Sequence, residues 1–426
     1  MSRYCFSMML GKVAMNQLLL RCNEMELPKG WTTAVVRDLE QVEAIRPVWE
    51  QMQRVEPLPV VNADIDRYIS VLESMREAAK PHVMIFYYEG APKSIAIARI
   101  EKQQMACRIG YWRVIKPSIR CLCVIYGGIL GRPTNETSLV LVQSLMSSLS
   151  RGEADVVQFN HLRTDSPVFA AVRNLPCVLS RGWRPKIENH YRVAIPGSMD
   201  DFYRSCSKNC RKRLRRYIRN IEREYVGRME VITYTSVHEL DKAMKDAVQV
   251  SSKTYQYGLG SGLVNDVRTR ELMTAAARKN WLRLDILYID GEPCAFRSAL
   301  KYGNTCFSDK IGYSPAWKEH NVGTILFLKV LESLCEDPAI DFLDFGFGGG
   351  QHKQWGQNQS WQEALVYIFA PRLYPVLINA SQGVTMGVNA CLEYVVNRMN
   401  LGDWMKRCWR HSLQAKKPKR RSLVGR

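Results

Sequence analysis

The stretch Phe307–Lys353, FSDKIGYSPAWKEHNVGTILFLKVLESLCEDPAIDFLDFGFGGGQHK, decides how the chain reads. It runs from a strand through a polar loop into an amphipathic helix, then into a second strand and a glycine-dense turn that ends in a basic residue. Val322, Ile325, Leu326, Val330 and Leu334 recur at helical spacing, and Gly323 leaves the backbone open near the helix start. A helix N-terminus offers free N–H groups to an anion. IDFLDFG alternates as a buried strand does, so Asp344 on it needs a partner. Gly346 and Gly348–Gly350 cost backbone entropy, which points to a close ligand approach, and Lys353 beyond them suits a phosphate or a carbonyl oxygen. The pattern indicates group transfer and leaves the substrate open.

At 426 residues the chain is too long for one ordinary core, and 46% apolar content is that of a globular protein. No run of about 18 apolar residues is present, so a membrane-spanning helix is not expected. The apolar N-terminus is interrupted by Lys12, Asn16 and Gln17 without a small-residue cleavage site, and reads as an extension. The 13 cysteines form no CxxC pair, which fits reduced thiols in a cytoplasm and no metal site. The net charge of +19 is uneven: ten Lys/Arg fall in 204–228 and nine in 406–426. Such a surface attracts nucleic acid, an anionic membrane, an acidic carrier protein or a phosphorylated cofactor; solvated helix faces account for the same charge.

Residues 37–55 and 64–79 read as helices, and 82–101 as a hairpin turning at Glu89-Gly90. Strands at 121–129 and 156–159 flank a helix at 139–149, an α/β layer. After a break at 196–200 the pattern restarts: a basic helix at 202–225, a strand at 229–234, helices at 237–253 and 268–279, then three strands over 282–313 with turns at Asp290-Gly291 and Gly303-Asn304. The hairpins 82–101 and 283–300 are the best internal likeness and suggest a duplicated unit. Residues 372–402 read as a helix packed on the second unit. The expected division is an extension (1–30), a first half (31–195), a second half (196–375), and a C-terminal helix with a basic tail (376–426).

Three patterns carry a family resemblance: SCSKNCRKRLRR (205–216), the run from Gly312 through Asn321-Val322-Gly323-Thr324, and DFGFGGGQHK (344–353). In this order they resemble the GNAT-like acyltransferases of the CelD/BcsL type, with a BioF2-like acetyltransferase domain, related in fold to the FemAB aminoacyltransferases. Gly349 stands where that family usually has an acidic residue and His352 where it has Tyr; of the GNAT pyrophosphate loop only Gly323 is retained at 318–324. The resemblance implies an α/β (α+β) fold of two tandem GNAT-like halves, each a mixed, mostly antiparallel sheet flanked by helices. It implies acyl transfer from acyl-CoA or an acyl carrier protein, without a metal, to a hydroxyl or amine on a glycan, lipid or amine acceptor, in polysaccharide or cell-envelope biosynthesis. A FemAB-like use of charged tRNA and a non-catalytic GNAT-like scaffold are the alternatives.

On that reading Asn321, Val322, Gly323, Thr324, Gly348 and Gly350 cradle the donor. Direct transfer needs a group that takes the acceptor's proton. Asp309, Glu319, His320 and His352 lie in the deciding stretch; Asp309 and His352 are carried forward as candidate bases, with Asp344 as a supporting carboxylate and Lys353 stabilising charge. No cysteine sits beside a suitable histidine, so an acyl-cysteine intermediate is not supported. The basic helix can dock tRNA or an acidic carrier protein, and the tail, with Trp404 and Trp409 nearby, an anionic inner leaflet.

Overall fold

The computed structural model describes residues 27–110, 112–183, 185–347 and 358–398. The chain forms two compact units. Of the described residues, one unit holds those up to Glu188 together with Gln362–Val395; the other holds those within Asn189–Trp361 together with those from Val396. Each is an α/β unit with a mixed, mostly antiparallel sheet flanked by helices. No helix among the described residues is long and apolar enough to cross a membrane.

In the second unit the strand order is β8 (Lys186–Ala194), β13 (Phe342–Phe347), β12 (Thr305–Tyr313), β11 (Glu292–Tyr302), β10 (Leu282–Ile289) and β9 (Met229–Tyr234). Asp290 and Gly291 both take positive φ (52° and 76°), the geometry a two-residue hairpin needs to follow strand twist, and so join β10 to β11. β10 is buried at every position. One of its faces meets the core of helix α11 (Val322–Cys335); the other meets the core of α8 (Leu240–Ser251) and α10 (Val267–Arg278). α11 is apolar on more than its sheet face because Phe327 also meets Phe202 of the short helix α6 (Met199–Ser205), 6.3 Å away. All pairs are antiparallel except β12 with β13, which α11 connects as a crossover.

The first unit repeats that order: β1 (Trp31–Val36), β2 (Ala79–Tyr88), β3 (Ala91–Gln104), β6 (Ser118–Leu130), β7 (Val156–Arg163) and β14 (Asn358–Phe369). Glu89 and Gly90 carry positive φ in its hairpin, as Asp290 and Gly291 do in the other. Helix α4 (Asn135–Ser150) connects β6 to β7, again the one parallel pair. The likeness of the two hairpins is therefore the trace of a repeated unit; the small β4–β5 pair (Cys107–Ile109, Trp112–Ile115) has no counterpart in the other sheet. In the first unit the sixth strand, β14, comes from outside the contiguous run that supplies the other five, whereas β8–β13 of the second unit are consecutive in the chain.

That arrangement corrects two expectations. The units divide at Glu188 and Asn189 rather than near residue 196, and Ser198 caps α6 within the second unit. The helix α12 (Leu373–Arg398) packs on the first unit, because β14 closes that sheet and delivers the chain there. Tyr374 Oη donates to Ser118 O (2.9 Å), and Asn379 Nδ2 to Leu179 O and Arg181 O (3.0 Å each). The expected helix 37–55 is two, α1 (Leu39–Ala44) and α2 (Arg46–Arg54), since Pro47 lacks the N–H that would carry one into the other.

The first unit buries His82. Its Nε2 lies 3.4 Å from Ser148 Oγ and 3.6 Å from Glu153 Oε2, and burial pushes the imidazole down to about 4, against the opposing pull of Glu153. The unfolded chain takes up this proton first, so its contribution is complete above about pH 6.5 and is lost as the pH falls towards 4, by about 3 kcal/mol at most. Denaturant titrations from pH 8 to 4 are expected to show this decline, and His82→Gln to flatten it.

Candidate active site in the second unit

Parallel pairing of β12 with β13 lasts three residues: Thr305, Cys306 and Phe307 face Phe342, Leu343 and Asp344. Both strands then bend. The register of β12 against β11 shifts between Ala299–Ser308 and Arg297–Ile311, and Ser298 Oγ accepts the Lys310 N–H at 3.1 Å. β13 bulges against β8 between Asp344 and Gly346, where Gly346 takes φ of 63°. Two irregular strands that part in mid-sheet leave an opening with main-chain polar groups along its sides.

The polar loop after β12 brings the chain to α11. Asn321 takes the left-handed conformation (φ 56°, ψ 33°), which asparagine tolerates, and its carbonyl accepts from Thr324 N and Ile325 N. Val322 is buried, and a Cβ on Gly323 would stand 3.3 Å from the Tyr313 ring. Gly323 thus lets the first turn of α11 press onto the end of β12, so its packing role is explicit. The first-turn N–H groups remain at the positive end of the helix dipole.

Asp344, 5% exposed, has the partner its strand position demanded. His190 Nε2 lies 2.8 and 2.9 Å from its two oxygens, and Asp344 Oδ1 also accepts the Gly346 N–H at 2.7 Å. His190 is 1% exposed, stacked on Trp361 at 4.5 Å and met edge-on by Phe347 at 4.9 Å. The contact with the carboxylate places the ring proton on Nε2 and orients the imidazole. Leu343 and Phe345 join the α11 core, so Asp344, between them, points to the other face of the sheet.

On the α11 face lies Arg297, 4% exposed, with its guanidinium 5.4 Å from the Phe345 ring and 5.8 Å from Phe327. Its Nε and Nη2 have no hydrogen-bond partner, and burial holds its pKa below the usual arginine range. Phe345 is the first residue beyond the last parallel pair, so a buried positive charge underlies the opening.

Of the residues singled out from sequence, Asp344, Asn321, Val322, Gly323 and Thr324 have the settings just given. Asp309 sits at the β12 bend with a side chain 56% exposed, 3.8 Å from Lys310 Nζ, which is a solvated position rather than a buried one. Glu319 is exposed, and His320 is 3.8 Å from Glu224 among the rings of Tyr225 and Trp317. Gly348, Gly350, His352 and Lys353 lie outside the described residues. His190, Trp361 and Arg297 were not read from the sequence. The signal for His190 was the alternation in IENHYRV (187–193), and for Arg297 a lone cation inside an apolar strand. In the first unit the equivalent β6–β7 parting carries His161, whose ring nitrogens meet Asn160 Oδ1 (2.7 Å) and Glu188 Oε2 (3.4 Å). Acceptors on both sides hold that imidazole in place rather than present a base.

Among the described residues no group of His, Cys, Asp and Glu is arranged to hold a metal ion. No curated protein matches the chain. Among solved structures it is similar to a tandem GNAT protein from the clavulanic acid biosynthesis pathway (11% identity, TM-score 0.48, covering 80% of this chain and 99% of that one). It is also similar to FemX (8% identity, TM-score 0.49, 75% and 95%). The sequence profile of the acetyltransferase (GNAT) domain matches residues 208–354, the part of the chain that contains Asn321, Asp344 and Arg297.

Proposed function

We propose that the chain is a GNAT-type acyltransferase that moves an acyl group from a CoA or carrier thioester to a hydroxyl or amine. The observation that carries the reading is the early parting of β12 from β13 beside the buried Asp344–His190 pair, within the matched domain. The donor arm enters at the start of α11 and lays its thioester in the opening. His190, oriented by Asp344, takes the proton of the acceptor, Asp344 stabilises the resulting imidazolium, and the acceptor oxygen or nitrogen attacks the thioester carbon. Main-chain N–H groups at the parting and the field of Arg297 oppose the oxyanion charge. Collapse expels the thiolate, which takes from His190 the proton that the acceptor gave up. His190 replaces Asp309 as the base, because it is buried and oriented by Asp344 whereas Asp309 is solvated. The likeness to CelD/BcsL-type enzymes favours a glycan or lipid-linked acceptor of the cell envelope, with the protein at the inner membrane face.

Titration with acetyl-CoA is expected to raise the melting temperature saturably; no shift with acetyl-CoA or with an acetylated carrier would overturn the reading. Asp344→Asn keeps the volume but removes the charge that orients His190. Turnover is expected to fall about 100-fold or more, with the acid limb of the kcat/KM profile lost, while the thermal shift with donor persists. Arg297→Met removes a buried charge from an aromatic site. It is expected to stabilise the fold by about 1–3 kcal/mol in denaturant unfolding while slowing transfer; a less stable variant would make Arg297 a packing residue.

A further inference from the structure

Helix α7 (Lys208–Glu224) turns its apolar residues, Leu214 and Ile221, inward. On the opposite side Lys208, Lys212, Arg216, Arg219 and Arg223 are all exposed. At about 100° per residue these five fall within one arc of about 80°, a single stripe about 22 Å long. The helix's own acids are engaged elsewhere: Glu222 lies 3.4 Å from Lys329 and Glu224 3.8 Å from His320. The stripe therefore carries only positive charge.

Where the stripe ends matters. Tyr225, just past α7, packs against Trp317 and His320, 5.7 Å from each ring, in the loop that leads to Asn321. The C-terminal end of α7 thus lies beside the loop that leads to the donor entrance. The first turn of α11 contains neither an acidic nor a basic residue. Coenzyme A brings a pyrophosphate and a 3′-phosphate to such an entrance, whereas a pantetheine arm on a protein brings one phosphodiester, which a helix N-terminus of about half a positive charge matches.

We infer that the acyl donor arrives on a small acidic carrier protein, whose acidic face docks on the α7 stripe while its pantetheine arm enters at Asn321–Gly323. This rests on the acyltransferase reading and names its donor. A single strip of cations without outward aromatic rings suits an acidic protein face better than it suits single-stranded RNA, which needs stacking platforms.

The test uses the full chain with an acidic acyl carrier protein, fluorescently labelled in its holo form for anisotropy and acetylated for kinetics. The unaltered protein is expected to bind the carrier with strong salt dependence. The triple variant Lys212→Glu, Arg216→Glu, Arg219→Glu should weaken binding and raise KM for the acetylated carrier about tenfold or more, with kcat and transfer from acetyl-CoA unchanged. Turnover of acetyl-CoA with no carrier binding, or carrier binding indifferent to the three reversals, would overturn this inference and leave the transferase standing. Loss of binding only to a single-stranded RNA oligonucleotide or to phosphatidylserine vesicles in the variant would assign the stripe to that partner and overturn it as well. Absence of transfer from either donor would instead defeat the transferase reading itself.

Discussion

A carboxylate at a position only 5% exposed costs several kcal/mol unless it is paired and hydrogen-bonded, and Asp344 meets that demand on two sides. His190 takes both oxygens, and the Gly346 N–H takes one of them again. Each partner fixes something further. The histidine pins β8 onto β13 in one register, since a slip of one residue would turn His190 to the other face and leave the carboxylate alone. The Gly346 contact holds the bulge at the point where β13 leaves β12. The register of β8 on β13, the bend of β13 and the orientation of an imidazole thus follow from one buried charge.

The same economy is visible on the other face. α11 is buried among the sheet and α6, and Gly323 lets its first turn approach Tyr313 closely enough to place the helix's positive end beside the end of β12. Arg297 is harder to account for by packing: two of its nitrogens are unpartnered between two phenylalanines. A fold selected for stability alone gains nothing from that charge, whereas a site that must oppose a developing negative charge does.

Much of this was legible in the residues. The two hairpin turns, the basic helix, the α11 stripe and the need for a partner at Asp344 follow from local chemistry: positive φ at an acidic-Gly pair, period 3.6, and desolvation of a carboxylate. What was not legible was long-range. His190 is 154 residues from Asp344 and sits in a short strand whose charged residues mask its buried face. The division at Glu188 and the return of Gln362–Val395 to the first unit depend on strand pairing, which no local pattern encodes. Asp309 looked like a base because its neighbours in sequence looked like a site; the bend at Lys310 leaves it in solvent.

The sixth strand of the first sheet has a consequence for synthesis. The first unit lacks β14 until residue 369 has been made, although β7 is complete at Arg163. At about 5–20 residues per second the nascent chain holds an open strand edge for roughly ten to forty seconds. An unpaired edge of this kind invites association with other chains. The ribosome-bound first half is therefore the species most in need of chaperone cover, and the two halves mature together rather than in order of their translation.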